Sequence, residues 1–509
     1  MLKIISTALL IAFAPYKGFS QAPVAKIENG LISGVKKGDV SIFKGVPFAA
    51  PPVGDLRWKA PQPVTNWSGT RACENFSASP MQGKPVPFMM WTEEFIAPPE
   101  PLSEDCLYLN IWSKGKSKND KLPVFVWIYG GGFVSGSAAC AVYDGEEMAK
   151  QGIVFVSINY RVGPFGFLAH PELTKESGTK SSGNYAFLDQ FAALRWIQNN
   201  IAAFGGDPGN VTIAGQSAGS FSINALVASP LGKGLFHRAI AQSGGLLGSS
   251  IGRRLPQAEN SGIVFAQKAQ AHSLAELRKL SAEEIQKVAA LIPRDAFTPV
   301  LEDYVLPTNL LAHFQQGKHN DVPLLTGWVT GDASLRGNSN MPAEKFKQQA
   351  TKKYGARAEE FLSLFPATSK EVLKASQLKL SLCEFAALPS HLWASYNKSN
   401  SYLYQVSFVP TDNPDFPNYG AFHTSEVPFA LHTLHQWNRP WQARDYEMEK
   451  NLSAYWINFI RTGNPNGSNL PEWKRHTRNE PVVMELDEKI ISGTILKDEL
   501  AFLSSTIKK

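Results

Sequence analysis

The sequence predicts an α/β fold, in which a mainly parallel sheet is covered by helices on both faces. Short apolar runs typical of buried strands alternate with stretches of helical periodicity along the 509-residue chain. Strands that alternate with helices form parallel sheets whose two faces are both buried. The clearest predicted strands are Val124–Tyr129, Val154–Ile158, Val211–Ala214, Ala239–Ala241, Leu324–Gly327 and Tyr402–Ser407.

Helical patterns fill much of the remaining chain. Asp189–Phe204 is predicted to be a long amphipathic helix. Leu255–Leu291 and Met341–Tyr396 are rich in helical patterns and polar on one side, so both are expected to be insertions packed over the sheet. Such insertions either cover a substrate site or serve structural packing, and both readings remain open here.

Composition excludes several classes of function. Hydrophobic residues make up 43% of the chain, charged residues 18%, and the formal net charge is +6. No dense cluster of lysine and arginine is present, so nucleic acid is not an expected partner. No apolar stretch after the first twenty residues is long enough to be a membrane helix, so no membrane anchor is expected.

Residues 1–20, MLKIISTALLIAFAPYKGFS, have the pattern of a signal peptide. A basic start is followed by a short apolar run, and Gly18 and Ser20 supply the small residues of a cleavage site before Gln21. We therefore expect an exported protein whose mature part, residues 21–509, is a single domain. The four cysteines form no C-x-x-C pair and no histidine cluster accompanies them, so no metal or other cofactor is expected.

A G-x-S-x-G stretch, Gly215-Gln216-Ser217-Ala218-Gly219, lies between a predicted strand and a predicted helix. In that context a strained turn lifts a serine hydroxyl clear of the backbone, where it can act as a nucleophile. The stretch therefore marks Ser217 as a candidate that needs a histidine and a carboxylate to activate it.

A second glycine-rich stretch, Tyr129-Gly130-Gly131-Gly132-Phe133, also follows a predicted strand. Its glycine spacing does not match G-x-G-x-x-G. It also does not match a phosphate-binding loop, because Ser137 follows Gly136 where that loop needs a lysine. We expect the N–H groups of Gly131, Gly132 and Ala218 to form an oxyanion hole.

Eight stretches together resemble the type-B carboxylesterases of the cholinesterase/carboxylesterase family, which have the α/β-hydrolase fold. They are FKGVPFAAPPVGDLRW (43–58), SEDCLYLNIW (103–112), YGGGFVSGS (129–137), NYRVGPFGFL (159–168), GNYAFLDQFAALRWIQNNIAAFGGDPGNVTIAGQSAGS (183–220), HRAIAQSGG (237–245), AFHTSEVPF (421–429) and YWINFIRTGNPNG (455–467). The resemblance implies that Ser217 is the nucleophile, that His423 is the general base, and that Gly131, Gly132 and Ala218 donate to the oxyanion.

The acid of the triad departs from the family pattern. Where relatives usually carry a glutamate after a strand and a glycine, this chain has Asp332 in the stretch GWVTGDAS. Aspartate orients the histidine in other triads, and the order Ser217, Asp332, His423 suits the fold. The rival carboxylates are Glu302, Asp303 and Glu426.

Three other positions carry expectations from the resemblance. Gln216 stands where animal members usually have glutamate, and this changes the charge beside the serine. A Cys73–Cys106 disulfide is expected, although the family's usual partner of Cys106 falls at Pro80, and the pairing of Cys140 and Cys383 stays open. The aromatic residues Phe88, Trp91 and Phe95 are expected either to line the mouth of the site or to serve ordinary packing.

The resulting hypothesis is a serine hydrolase that cleaves a small-molecule carboxylic ester through an acyl-enzyme. Two alternatives stay open from the sequence. One is an aryl esterase for feruloyl or tannin substrates. The other is a binding module of the same fold without catalysis, which the presence of Ser217, His423 and the glycines disfavours.

Overall fold

A computed structural model describes residues 22–248, 251–336, 341–415 and 417–507 of the chain. The predicted signal peptide, residues 1–20, lies outside the described residues, so its assignment stays a prediction. Within the described parts of the chain, no helix is long and apolar enough to cross a membrane.

The central feature is an 11-stranded sheet. In chain order its strands are β1 (Val35–Lys37), β2 (Val40–Pro47), β3 (Tyr108–Ser113), β4 (Leu122–Ile128), β5 (Val154–Ile158), β6 (Gly206–Gln216), β7 (Arg238–Gln242), β8 (Leu324–Val329), β9 (Ser401–Val406), β10 (Val483–Leu486) and β11 (Ile491–Gly493). Their spatial order is β11-β10-β9-β8-β7-β6-β4-β5-β3-β2-β1.

The middle of this sheet is parallel and its ends are antiparallel. Every neighbouring pair from β10 to β5 is parallel, whereas β3 pairs antiparallel with β5 and β11 pairs antiparallel with β10. The strands β5, β8 and β9 are buried at every residue, as expected when helices cover both faces. The predicted α/β-hydrolase architecture is confirmed, and each of the six strands named from the sequence is present with small changes of bounds.

Helices cover both faces and form the insertions. The longer α-helices are Tyr185–Asn200, Ala218–Ala228, Leu255–Lys268, Ala282–Ala289, Ala343–Tyr354, Lys370–Leu382, Leu388–Tyr396, Ala443–Thr462 and Lys497–Thr506. The shorter ones are Glu146–Lys150, Gly163–Phe167, Pro171–Glu176, Leu274–Lys279, Leu310–Gln315, Ala358–Leu364 and Val427–Leu431. A helical turn of π type, Cys383–Ala387, joins two of the longer helices.

The two predicted insertions differ in what they contact. In the first, the carbonyls of Leu277 and Leu280 accept hydrogen bonds from the buried guanidinium of Arg57, which also pairs with Glu104. This contact is structural packing. The second insertion carries the π turn, whose Phe385 ring stands 5.6 Å from the imidazole of His423. Only the second insertion thus reaches the predicted site through a contact described here.

The expected Cys73–Cys106 disulfide is wrong, because all four cysteines are free buried thiols. Cys106 follows the strand Leu102–Ser103, which pairs with Ser79–Pro80, so position 80 lies near that segment. Cys73 is seven residues upstream and docks elsewhere, where its carbonyl accepts from the N–H of Lys44. Burial raises the pKa of the Cys73 thiol to about 11 and that of Cys106 well above its usual range.

Candidate active site

Ser217 sits at a sharp turn between β6 and the helix Ala218–Ala228. Its backbone is at φ 57° and ψ −123°, a conformation that residues other than glycine rarely adopt. The flanking glycines let this turn pack against the neighbouring strand: a Cβ at Gly219 would lie 2.0 Å from the carbonyl oxygen of Ile128, and one at Gly215 would lie 2.6 Å from the same atom. The turn therefore displays the half-buried Ser217 beyond the carboxyl end of the sheet.

The glycine-rich loop leaves the adjacent strand at the same level. Gly215 pairs with Ile128 in the parallel register of β6 and β4, and a Cβ at Gly130 would lie 3.0 Å from the Cβ of Ser217. Gly131 and Gly132 have positive φ of 115° and 63° and are exposed. Their N–H groups, like that of Ala218 at the start of its helix, donate to no acceptor among the described residues. The glycine-rich loop and the serine turn thus hold three amide donors without an acceptor in the described part of the chain.

His423 and Asp332 are joined by a short hydrogen bond. The imidazole Nδ1 lies 2.5 Å from Asp332 Oδ1, and both side chains are buried. The other carboxylate oxygen, Oδ2, accepts from the N–H of Val329 at 3.1 Å. Because Nδ1 faces a carboxylate, the proton of the neutral ring lies on Nδ1 and Nε2 is left unprotonated.

Backbone contacts align the two loops that carry this pair. The N–H of Gly331 donates to the carbonyl of Ala421 at 2.9 Å. Gly331 directly precedes Asp332, and Ala421 lies two residues before His423. A Cβ at Gly331 would lie 2.3 Å from that carbonyl oxygen, so only glycine permits the approach. The glycine of the acid-bearing stretch thus has a local steric role.

Gln216, the residue directly before Ser217, contacts the imidazole of His423. The side-chain amide nitrogen of Gln216 lies 3.0 Å from His423 Nε2 and 3.3 Å from Nδ1. In the described structure Ser217 Oγ makes no hydrogen bond to His423. Catalytic hydrogen bonds of this kind often tighten only when substrate is bound.

The three rival carboxylates are occupied elsewhere. Glu302 accepts from the side chain of Asn184, and Asp303 accepts from Thr308, far along the chain from His423. Glu426 is buried near the pair, but its Oε1 accepts from Gln242 at 3.2 Å and its Oε2 has no partner. Of the four candidate acids, Asp332 is therefore the one that contacts the imidazole.

Glu426 has an unusual electrostatic environment. Burial, with the charge of Asp332 nearby, raises the pKa of the Glu426 carboxyl to about 8. The Glu426 carboxyl is therefore protonated and uncharged at pH values near 7.

Aromatic rings surround the imidazole. Trp91 stands edge-on to His423 at 6.3 Å and stacks obliquely on Phe88, whose ring is 54% exposed. Phe95, which the sequence grouped with these two, is buried against Trp437 and belongs to the core. Two of the three predicted aromatics thus lie at the site and one serves packing.

Sequence reasoning missed two side chains at the imidazole. Phe385 could not be predicted, because no sequence motif indicates where its insertion packs. It lies in the π turn Cys383–Ala387, and π turns often occur at functional sites. Gln216 was noticed as a change of charge, yet its contact with His423 was not foreseen.

Comparison with known proteins agrees with this architecture. The sheet, the strained serine turn after β6 and the covering helices are those of an α/β-hydrolase. The chain belongs to the carboxylesterase family, whose model matches residues 21–502.

Individual relatives are esterases. A fumonisin B1 esterase of Sphingopyxis macrogoltabida is 35% identical over 492 residues, covering 92% of this chain and 87% of the relative. A para-nitrobenzyl esterase of Bacillus subtilis (strain 168) is 33% identical, covering 89% of this chain and 93% of the relative. A solved structure of a PNB esterase superposes with a TM-score of 0.81 at 29% identity, covering 95% of this chain and all of the other. The protein is accordingly a carboxylic ester hydrolase, and its substrates are small-molecule esters.

Proposed function

We propose that Ser217, His423 and Asp332 form the catalytic triad of this esterase and that hydrolysis runs through an acyl-enzyme. The observation that carries the proposal is the buried 2.5 Å contact between His423 Nδ1 and Asp332 Oδ1, on an imidazole that Gln216 contacts directly before a serine held at φ 57°. A histidine oriented by a buried carboxylate is what a serine hydroxyl needs to become a nucleophile.

In the first half-reaction Ser217 Oγ attacks the ester carbonyl carbon while its proton passes to His423 Nε2. The carbonyl oxygen becomes an oxyanion, which accepts hydrogen bonds from the N–H groups of Gly131, Gly132 and Ala218. Each such donor contributes about 3 kcal/mol to lowering the barrier. The imidazolium then gives its proton to the departing alkoxide, and the alcohol leaves.

In the second half-reaction water replaces the alcohol. His423 Nε2 takes a proton from the water as its oxygen attacks the acyl carbon, and the proton returns to Ser217 Oγ when the carboxylic acid is released. Asp332 keeps the Nδ1 proton in place and stabilises the imidazolium in both steps without itself taking the proton.

The surroundings favour apolar groups on the substrate. Rings of Trp91 and Phe385 flank the imidazole, and Phe88 extends this apolar surface to solvent. An ester with an alkyl or aryl group next to the scissile bond would be desolvated on these rings.

Hydrolysis of p-nitrophenyl butyrate tests the proposal. Ser217→Ala should lose turnover by at least about 10⁴-fold, because no other nucleophile replaces the hydroxyl. The matched control is Ser220→Ala, one turn along the same helix, whose hydroxyl donates to the carbonyl of Gly244. The control should keep its kcat. Equal rates for Ser217→Ala and the wild type would contradict the proposal, and an inactive wild type would favour a binding module instead.

A further inference from the structure

The amide of Gln216 contacts the imidazole of His423 in a way that a single conventional hydrogen bond does not explain. Its nitrogen is within 3.3 Å of both ring nitrogens. The in-plane directions of Nδ1 and Nε2 diverge, and Nδ1 already points at Asp332. An atom in the ring plane at these distances from both nitrogens would overlap the Cε1–H group that lies between them. The amide group must therefore lie against a face of the ring.

This placement leaves the outward side of Nε2 open. That side is where the proton of Ser217 Oγ must arrive in the proposed mechanism. Gln216 precedes Ser217 directly, so the same turn that displays the serine also delivers the amide to the imidazole face.

A second contact fixes the orientation of the Gln216 amide. Its Oε1 accepts a hydrogen bond from the hydroxyl of Thr424 at 3.4 Å, so the NH₂ end is the one turned toward the ring. The hydroxyl of Thr424 in turn accepts from the indole N–H of Trp91 at 3.1 Å. Gln216, Thr424 and Trp91 thus form one hydrogen-bonded chain that ends on His423.

Thr424 holds its place in this chain at a conformational cost. Its φ is 88°, in a region that β-branched residues almost never occupy. Such strain persists only where the surroundings enforce it, and it concentrates at functional sites. Thr424 is buried and its hydroxyl has two polar partners, so the strained backbone is what brings that hydroxyl to Gln216.

We propose that Gln216, oriented by Thr424 and Trp91, is a positioning residue that fixes the plane of the His423 ring and keeps its Nε2 directed to Ser217. The proposal rests on the proposed triad. The proposal also explains why glutamine is suitable at position 216, where animal members usually have glutamate. A neutral amide can lie on the imidazole face without adding a charge there.

The electrostatic consequence depends on the other groups near the ring. Asp332 is bonded to Nδ1, and Glu426, close to Asp332, is neutral because its pKa is raised to about 8. Trp91 and Phe385 are uncharged. A carboxylate at position 216 would therefore be a second negative charge beside the imidazole and would stabilise its protonated, inactive form.

The first test removes the amide while keeping the length of the side chain. Gln216→Met should lower kcat for p-nitrophenyl butyrate by about 10²-fold, since small misplacement of a catalytic group has effects of that size. KM should stay within about twofold, because the binding surface is unchanged. A wild-type kcat in a folded Gln216→Met variant would overturn the proposal.

The second test asks whether Thr424 acts through Gln216. Thr424→Val should lower kcat and Thr424→Ser, which keeps the hydroxyl, should restore it. In the Gln216→Met background Thr424→Val should cause no further loss, because the group that it orients is gone. Additive losses in the double variant would contradict the chain of contacts. The matched control is Thr326→Val, which removes a buried hydroxyl bonded to the carbonyl of Ala241 and should leave kcat unchanged.

The third test is the pH profile of kcat/KM. Gln216→Glu, nearly identical in shape, should move the acidic limb to higher pH by about one unit or more, as a neighbouring opposite charge does for an imidazolium. An unmoved limb in an active Gln216→Glu variant would show that position 216 does not face the ring. Failure of the triad itself would be recognised separately, by an active Ser217→Ala variant.

Discussion

Asp332 and Glu426 are two buried carboxyl groups near each other, and they differ in the hydrogen-bond donors around them. Both oxygens of Asp332 accept hydrogen bonds, one from His423 Nδ1 and one from the N–H of Val329. Glu426 is equally buried, but only one oxygen has a partner and Asp332 repels its charge, so its pKa is raised to about 8. Burial alone therefore does not distinguish the acid of the proposed triad, whereas the donors that surround each carboxyl do.

Of the variants that compare Asp332 with Glu426, Asp332→Asn is expected to change kcat the most. Asp332→Asn should lower kcat by about 10⁴-fold, because the N–H of Val329 would hold the amide oxygen and the NH₂ group would then donate to Nδ1, which favours the wrong tautomer. The measurement is steady-state hydrolysis of p-nitrophenyl butyrate with thermal unfolding to confirm the fold. A near-normal kcat in this variant would mean that the contact in the structure does not orient the base.

The matched variant Glu426→Gln should lower kcat by less than about tenfold, because the protonated carboxyl and the amide are both neutral. If Glu426→Gln instead lowers kcat by the amount expected for Asp332→Asn, Glu426 is the functional acid, and the hydrogen-bond donors around each carboxyl do not decide its role.

Glu426→Gln should also change how the free energy of unfolding depends on pH. The pKa of Glu426 is higher in the folded state, about 8, than its ordinary value of 4.5. Between these pH values the unfolded chain ionises while the folded chain retains the proton, so the free energy of unfolding falls as pH rises from about 4.5 to 8. Glu426→Gln should remove this fall and unfold at a higher temperature than the wild type at pH 8. Parallel curves for the two proteins between pH 5 and 8 would contradict the assigned charge state.

The smallest effect on catalysis is expected at the distant rival, Glu302. Its carboxylate accepts from the side chain of Asn184 and from the backbone N–H groups of Tyr304 and Val305. Glu302→Gln turns one acceptor into a donor, so we expect a loss of about 1–3 kcal/mol in the free energy of unfolding and an unchanged kcat. A large drop in kcat with intact stability would show an undetected link to the site.

Much of the fold was predictable because local patterns report it directly. Buried parallel strands such as Val154–Ile158 are continuous apolar runs, and the serine turn needs glycines at fixed spacing. Asp332 and His423 could be named only through the resemblance, because 90 residues separate them and nothing local indicates that the backbones of Gly331 and Ala421 meet.

Two features depend on packing that no local pattern contains. The Cys73–Cys106 expectation failed because the Cys73 backbone bonds to Lys44, whereas the strand before Cys106 pairs with Ser79–Pro80. The contact of Gln216 with the imidazole needs Thr424 and Trp91, which are 208 and 125 residues away along the chain. Such contacts follow from how the loops pack, and the residue types alone do not specify them.

Trapping the acyl-enzyme is the most direct test of Ser217 as the nucleophile. Rapid acid quenching during turnover of p-nitrophenyl butyrate, followed by peptide mass spectrometry, should find one butyryl group per chain on the peptide that contains Ser217. The amount should rise in Asp332→Asn only slowly, since acylation itself is impaired. Ester turnover with a butyryl group on another residue, or with no covalent adduct on Ser217 under conditions that resolve one, would contradict the central claim.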